Sequence, residues 1–273
     1  MEPGYGEIPV PPGLSGLVVR LWWLRMPSPQ PFERILPIPA VHLVVNLSAP
    51  YRIVSHGRRP VDRLLEGPFL SGIQFEHLHN ENPAELRHVG AELAPWALPS
   101  FGIDPSALAG QVLPAEPLLP GVAELAAELA EGEDGDAAAE RLAALLLARR
   151  SGPAADPRAV RAVEALIADP GRRIAPLAAE LGLSDNSFTA LLRRSCGATP
   201  KRFAELARHH RFLSELPPGS APPRWAELVA RGGYYDQPHF IREFRRFAGM
   251  TPSAFLERLR AGATHPSFLP FEE

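Results

Sequence analysis

Two arginine pairs, Arg193-Arg194 and Arg245-Arg246, lie 52 residues apart. A guanidinium is permanently charged and presents a planar fork of donors that matches a phosphate. Such pairs therefore suit contacts with a polyanion. The surroundings repeat with them. Leu177 to Glu205 overlays Val229 to Glu257 at the same offset, matching Ala178/Ala230, Phe188/Phe240, Gly197/Gly249, Thr199/Thr251, Pro200/Pro252, Phe203/Phe255 and Glu205/Glu257.

The repeat also specifies the elements that must carry these arginines. In the first copy Ile174, Leu177, Ala178 and Leu181 share one face of a helix at i, i+3, i+4, i+7 spacing. Gly182 allows a sharp turn, and Ser184 can cap the next helix. There Phe188, Leu191 and Leu192 form the buried stripe, leaving Asp185, Asn186, Thr189, Arg193 and Arg194 outside. Gly197 stops this helix and Thr199-Pro200 starts another. The second copy uses Trp225, Leu228 and Val229, a Gly232-Gly233 turn, an Asp236 cap and a Phe240, Phe244, Phe247 stripe. Gln237, Ile241, Arg242, Arg245 and Arg246 lie outside that stripe, and Gly249 and Thr251-Pro252 close the copy. A helix-turn-helix sets its second helix in the DNA major groove, with polar groups on bases and basic groups on phosphates. One such unit suits a plain helical bundle equally well; two with duplicated arginine pairs favour DNA.

Charge agrees with that reading. Residues 157–262 hold 17 basic and 10 acidic side chains, a net of +7, whereas the rest holds 11 and 21. The overall charge of −3 hides a basic module on an acidic body.

Residues 158–260 resemble the DNA-binding domain of the AraC/XylS family of bacterial transcription regulators. The resemblance rests most on residues 233–252, Gly-Tyr-Tyr-Asp-Gln-Pro-His-Phe-Ile-Arg-Glu-Phe-Arg-Arg-Phe-Ala-Gly-Met-Thr-Pro. It implies two helix-turn-helix units, about 174–196 and 225–248, joined by a long helix from Pro200 to Leu216. At ~1.5 Å per residue that helix is roughly 25 Å long. The reading helices would then face successive major grooves. It also implies base reading by Asn186, Thr189 and Ala190 in the first unit and by Gln237, Ile241 and Arg242 in the second. The family's arginine at this position is kept as Arg242 and replaced by Ala190, which shifts the sharper reading to the second unit. Arg193, Arg194, Arg245, Arg246 and Lys201 are the phosphate candidates. The plainer role for any one of these arginines is an ion pair with Glu205, Glu243 or Glu257.

With 273 residues the chain has room for two domains. We expect an α+β protein. A β-rich sensor or dimerisation domain with C-terminal helices occupies 1–150, a linker 151–157, and an all-α tandem helix-turn-helix domain 158–262. Short β-branched and aromatic runs predict strands at Leu17–Trp23, His42–Leu47, Tyr51–Val54, Gly72–Glu76 and His88–Leu93. The sheet would be antiparallel, open or closed into a small cupin-like barrel. Ala107–Ala109 predicts a short helix, and Val122–Leu129 and Ala137–Arg150 predict amphipathic ones. This half resembles, less specifically, the β-rich N-terminal domain on one branch of AraC-like regulators. That implies a small-molecule effector, dimerisation, or both.

His77-Leu78-His79, with Glu81, Glu85, His42 and His88 nearby, superficially resembles a cupin metal site. Its spacing is wrong, because Glu85 lies six places beyond His79 and Asn80, Asn82 and Pro83 read as a turn. A polar loop is the preferred reading, and we expect no metal and no cofactor. Cys196, the single cysteine, rules out an internal disulfide framework and reads as core filler rather than a redox switch. No apolar run reaches the ~20 residues of a membrane span, and the N-terminus lacks a signal-peptide pattern. The expectation is a cytoplasmic, non-enzymatic regulator whose partners are double-stranded DNA, a small-molecule effector, RNA polymerase and a second copy of itself. Two alternatives stay open: a cupin-like metal-binding enzyme or sensor with a DNA-binding tail, and a nonspecific architectural DNA binder.

Overall fold

The computed structural model describes residues 2–28, 30–55, 60–216, 234, 236–260 and 268–270. The expected first helix and turn of the second unit, and the Pro217–Pro223 loop before them, lie outside the described residues.

Among the described residues eleven strands form two sheets, and every pairing between them is antiparallel. The first sheet holds β1 (Gly4–Ile8), β2 (Val18–Pro27), β4 (Val41–Asn46), β7 (Phe69–Ser71), β9 (Glu85–Leu93) and β10 (Val112–Pro114), in the order β1-β2-β9-β4-β7-β10. The second holds β3 (Phe32–Ile35), β5 (Tyr51–Ser55), β6 (Val61–Leu65), β8 (Leu78–Glu81) and β11 (Phe268–Pro270), in the order β11-β3-β8-β5-β6. The strands do not close into a barrel. Alternation sends Val44, Phe69 and Val112 of one sheet and Tyr51, Ile53 and Leu78 of the other into a shared apolar layer.

Two expectations fail here. Residues 72–76 are not a strand; the pairing run is Phe69–Ser71 just before them. Gly72 passes close to Leu108, whose carbonyl would sit 2.1 Å from an added Cβ. The expected polar loop is strand β8 over Leu78–Glu81, pinned between β3 and β5, and the chain turns only at Asn82 and Pro83 beyond it.

The opposite face of the first sheet carries Leu21, Leu43, Val45, Val89 and Ala91 into the main core. It is covered by α3 (Gly135–Arg149) and, beside it, α2 (Val122–Ala130). The Trp23 indole ties β2 to α3 by donating to Asp136 Oδ1 at 2.6 Å. Between sheet and helices, a short α1 (Pro105–Leu108) is capped by Asp104, whose carboxylate accepts from the Ser106 amide.

The remaining helices follow the repeat. They are α4 (Pro157–Ala168), α5 (Ile174–Glu180), α6 (Asp185–Cys196), α7 (Pro200–Ser214), α8 (Gln237–Ala248) and α9 (Pro252–Arg260). The main core runs unbroken from Leu14 through Leu166, Phe188 and Phe203 to Phe247. A smaller aromatic cluster of Phe212, Phe240, Phe244 and Phe255 holds α7, α8 and α9 together. Among the described residues no helix is long and apolar enough to cross a membrane.

Candidate nucleic-acid interface

The two candidate reading helices, α6 and α8, start and stop as their sequences require. Ser184 Oγ accepts from the Ser187 amide at 3.2 Å, and Asp236 Oδ1 from the His239 amide at 2.7 Å. Each helix ends on a left-handed glycine, Gly197 at φ 73° and Gly249 at φ 67°, a region closed to most side chains. Their last turns carry Arg193-Arg194 and Arg245-Arg246, where the helix dipole favours positive charge.

Burial then sorts the side chains. In α6, Phe188, Leu191 and Leu192 are buried, Asn186, Arg193 and Arg194 are exposed, and Thr189 and Ala190 are half-buried. In α8, Phe240, Phe244 and Phe247 are buried, while Gln237, Arg242, Arg245 and Arg246 are exposed. Ile241 is half-buried and packs against the aromatic cluster, so it offers a base less surface than Gln237 or Arg242 does. Lys201 is exposed at the start of α7. Among the described residues, Arg193, Arg194, Lys201, Arg242 and Arg245 form no ion pair. Arg246 does: it meets Glu205 of α7 at 2.9 Å and lies over the Phe247 ring.

A second link between α7 and α8 escaped sequence reasoning. Glu243 faces inward, 6% exposed, and its two oxygens accept from Arg208 at 3.0 and 3.1 Å. Burial alone would lower the Arg208 pKa, but the bonds and charge of Glu243 outweigh it and the value is raised. Arg208 also covers the Tyr234 ring, 4.9 Å from its centroid. The signal was present in the spacing: Glu243 lies three residues from Phe240 and four from Phe247, on the apolar stripe. Next to this pair, His209 is fully buried and stacked on Phe247 at 4.7 Å. Burial pushes its pKa down to about 3, so the ring is neutral. Cys196 is buried too, and its thiol, bonded to the Leu192 carbonyl, is pushed up to about 12 by burial. That environment keeps it protonated and unreactive.

Both units touch the β-rich part of the chain, and their equivalent glycine turns both rest on it. Ser106 Oγ of α1 donates to the Arg193 carbonyl at 3.2 Å, and the Gly197 turn rests on Pro105 and Ala109. Arg34 Nη1 of β3 donates to the Ala248 carbonyl at 3.0 Å, and the Gly249 turn rests on the His77 ring. Arg202 of α7 stacks over Phe75 at 3.7 Å. His77 and His79 lie ring to ring at 5.0 Å, and His79 Nε2 accepts from Arg34 Nε at 3.2 Å. Among the described residues no group of three or more His, Cys, Asp or Glu side chains is placed to hold a metal ion.

Comparison with known proteins is consistent with this geometry. Residues 177–258 match a helix-turn-helix domain family, of the AraC type, and residues 6–114 match a domain of unknown function (DUF6597). No curated protein matches the chain. Among solved structures, ToxT from Vibrio cholerae is similar at 12% identity and a TM-score of 0.49, covering 94% of this chain and 99% of that one. A structure of ToxT with a bound unsaturated fatty acid gives 11% identity and a TM-score of 0.48, covering 88% and 95%. A probable AraC family transcriptional regulator from Rhodopseudomonas palustris is 27% identical with a TM-score of 0.35, covering 38% of this chain and 99% of that chain.

Proposed function

The chain carries an AraC-type helix-turn-helix domain, and from that premise we propose that it is a sequence-specific DNA-binding transcription regulator. The observation that carries this reading is the doubled one. Two capped helices each present polar residues near one end and an arginine pair at the other, on a segment of net charge +7. Gln237 and Arg242 read bases, Arg242 as a bidentate donor to guanine and Gln237 to adenine, with Asn186 and Thr189 contributing from the first unit. Arg193, Arg194, Arg245 and Lys201 hold phosphates and set the register. Arg246 joins them when it leaves Glu205. The β-rich part, residues 1–150, receives a small-molecule signal and passes it to the reading units, residues 158–262, by favouring one of two arrangements.

The test is binding of the purified protein to duplex from upstream of its own gene and its neighbours, with salt titrated and unrelated duplex as competitor. A protected site of about two helical turns that survives competitor is the expected result. Equal binding to every sequence would reduce the protein to a polyanion binder, since a regulator should discriminate by ~10³-fold or more.

A further inference from the structure

The two hydrogen bonds from the β-rich part to the ends of α6 and α8 differ in kind. The last carbonyls of a helix have no partner within it. The Arg193 carbonyl already accepts from the Gly197 amide at 2.9 Å, so Ser106 adds a second bond there. The Ala248 carbonyl is met by Arg34, a guanidinium only 7% exposed. The geometry points to Arg34 as the positioning residue through which the β-rich part holds the second reading helix in its DNA-reading pose.

Three observations carry this assignment. First, Arg34 reaches across from β3 and bonds the end of α8, with His79 of β8 accepting its Nε. A positive charge at a helix C-terminus is favourable. Desolvation, and then the neighbouring charge of Arg258, pull the Arg34 pKa down only to about 10, so the charge persists at neutral pH. Second, the approach is too close to slide. An added Cβ at Gly249 would meet His77 Cε1 at 2.3 Å, just as one at Gly197 would meet the Pro105 carbonyl at 2.4 Å. The equivalent turn of each repeat is thus seated on the β-rich part. Third, the hold is at the far end from base reading. Gln237 lies 11 residues before Ala248, roughly 16 Å away at ~1.5 Å per residue. Gln237 and Arg242 remain exposed. A hold placed there orients the helix and leaves its reading end open.

The DNA consequence rests on the proposed function; the hold itself does not. The test uses the full chain and the variants Arg34→Met and Arg34→Lys. In the absence of DNA, amide hydrogen exchange in the last turn of α8 is expected to be at least tenfold faster in Arg34→Met and near wild type in Arg34→Lys, with α6 unchanged in both. On the selected duplex, Arg34→Met is expected to bind about tenfold more weakly. On a duplex that keeps only the first unit's half-site, it should match wild type within about twofold. Wild-type exchange rates in α8 of Arg34→Met would overturn the hold. Faster exchange with unchanged or tighter binding to the full site would overturn the reading pose. If wild type itself shows no sequence preference, the proposed function fails and the exchange data still decide the hold.

Discussion

At the scale of single residues, the proposed function divides α8 between two jobs that look alike in sequence. Arg242 and Arg245 are both exposed arginines on one helix, but Arg242 is assigned to a base and Arg245 to phosphate. Arg242→Ala should therefore relax the preferred base at one position in a binding-site selection, with a loss of about 1–3 kcal/mol. An unchanged preferred sequence would remove Arg242 from base reading. Arg194→Ala should instead weaken all sequences alike and reduce the slope of log K against log salt by about 0.9. A change in sequence preference would show that Arg194 touches bases. Ile241 shows how far helical spacing could reach: it lies outside the main stripe in sequence, yet the aromatic cluster covers half of it.

At the scale of elements, the connection of α7 to α8 is partly ionic. Arg208 and Glu243 are both well buried, with side chains 14% and 5% exposed. Removing one partner strands the other in a low-dielectric site. Arg208→Ala should cost about 3–5 kcal/mol in denaturant unfolding, whereas replacing both by apolar residues of like size should cost much less. Equal losses in the single and double variants would mean that the pair contributes packing alone. These helices were legible because capping residues, stop glycines and a 3.6-residue stripe all point the same way. The sheets were less so. β1 contains Gly4 and Gly6, β3 is Phe-Glu-Arg-Ile and β8 is Leu-His-Asn-Glu. None alternates cleanly between apolar and polar residues. They become strands because neighbours satisfy their backbone bonds, which no local window contains.

At the scale of the whole molecule, one core joins the sheet, the helices and α6, and titratable groups are buried in the layers around it. Burial pushes the His88 pKa down to about 4 and that of His209 to about 3. Both rings are neutral in the fold and become charged more readily when unfolded. Their contribution is therefore present above the unfolded value near 6.5 and is lost as pH falls toward the folded values. At pH 5 each should cost about 2 kcal/mol relative to pH 7.5. His209→Phe should make the fall in Tm between those pH values smaller; an identical fall in the variant would place the acid sensitivity elsewhere. Contacts across the molecule were also what the sequence could not show. Neither Arg34 nor Ser106 carries any mark that it will meet a helix end more than 80 residues away.

The register of β3 against β8 has one more consequence. Glu33 pairs with Asn80 and Arg34 with His79, so successive residues point to opposite faces of the sheet. Glu33 and Asn80 share the face with Ile53, toward the layer between the sheets, while Arg34, bonded to His79, meets α8. Burial raises the Glu33 pKa. A buried acidic side chain facing the inter-sheet layer and the hold on α8 thus sit on neighbouring residues of one strand, ~3.3 Å apart along the chain. Under the proposed function, a lineage could rewrite the inward positions for a new stimulus and leave the outward hold on α8 untouched.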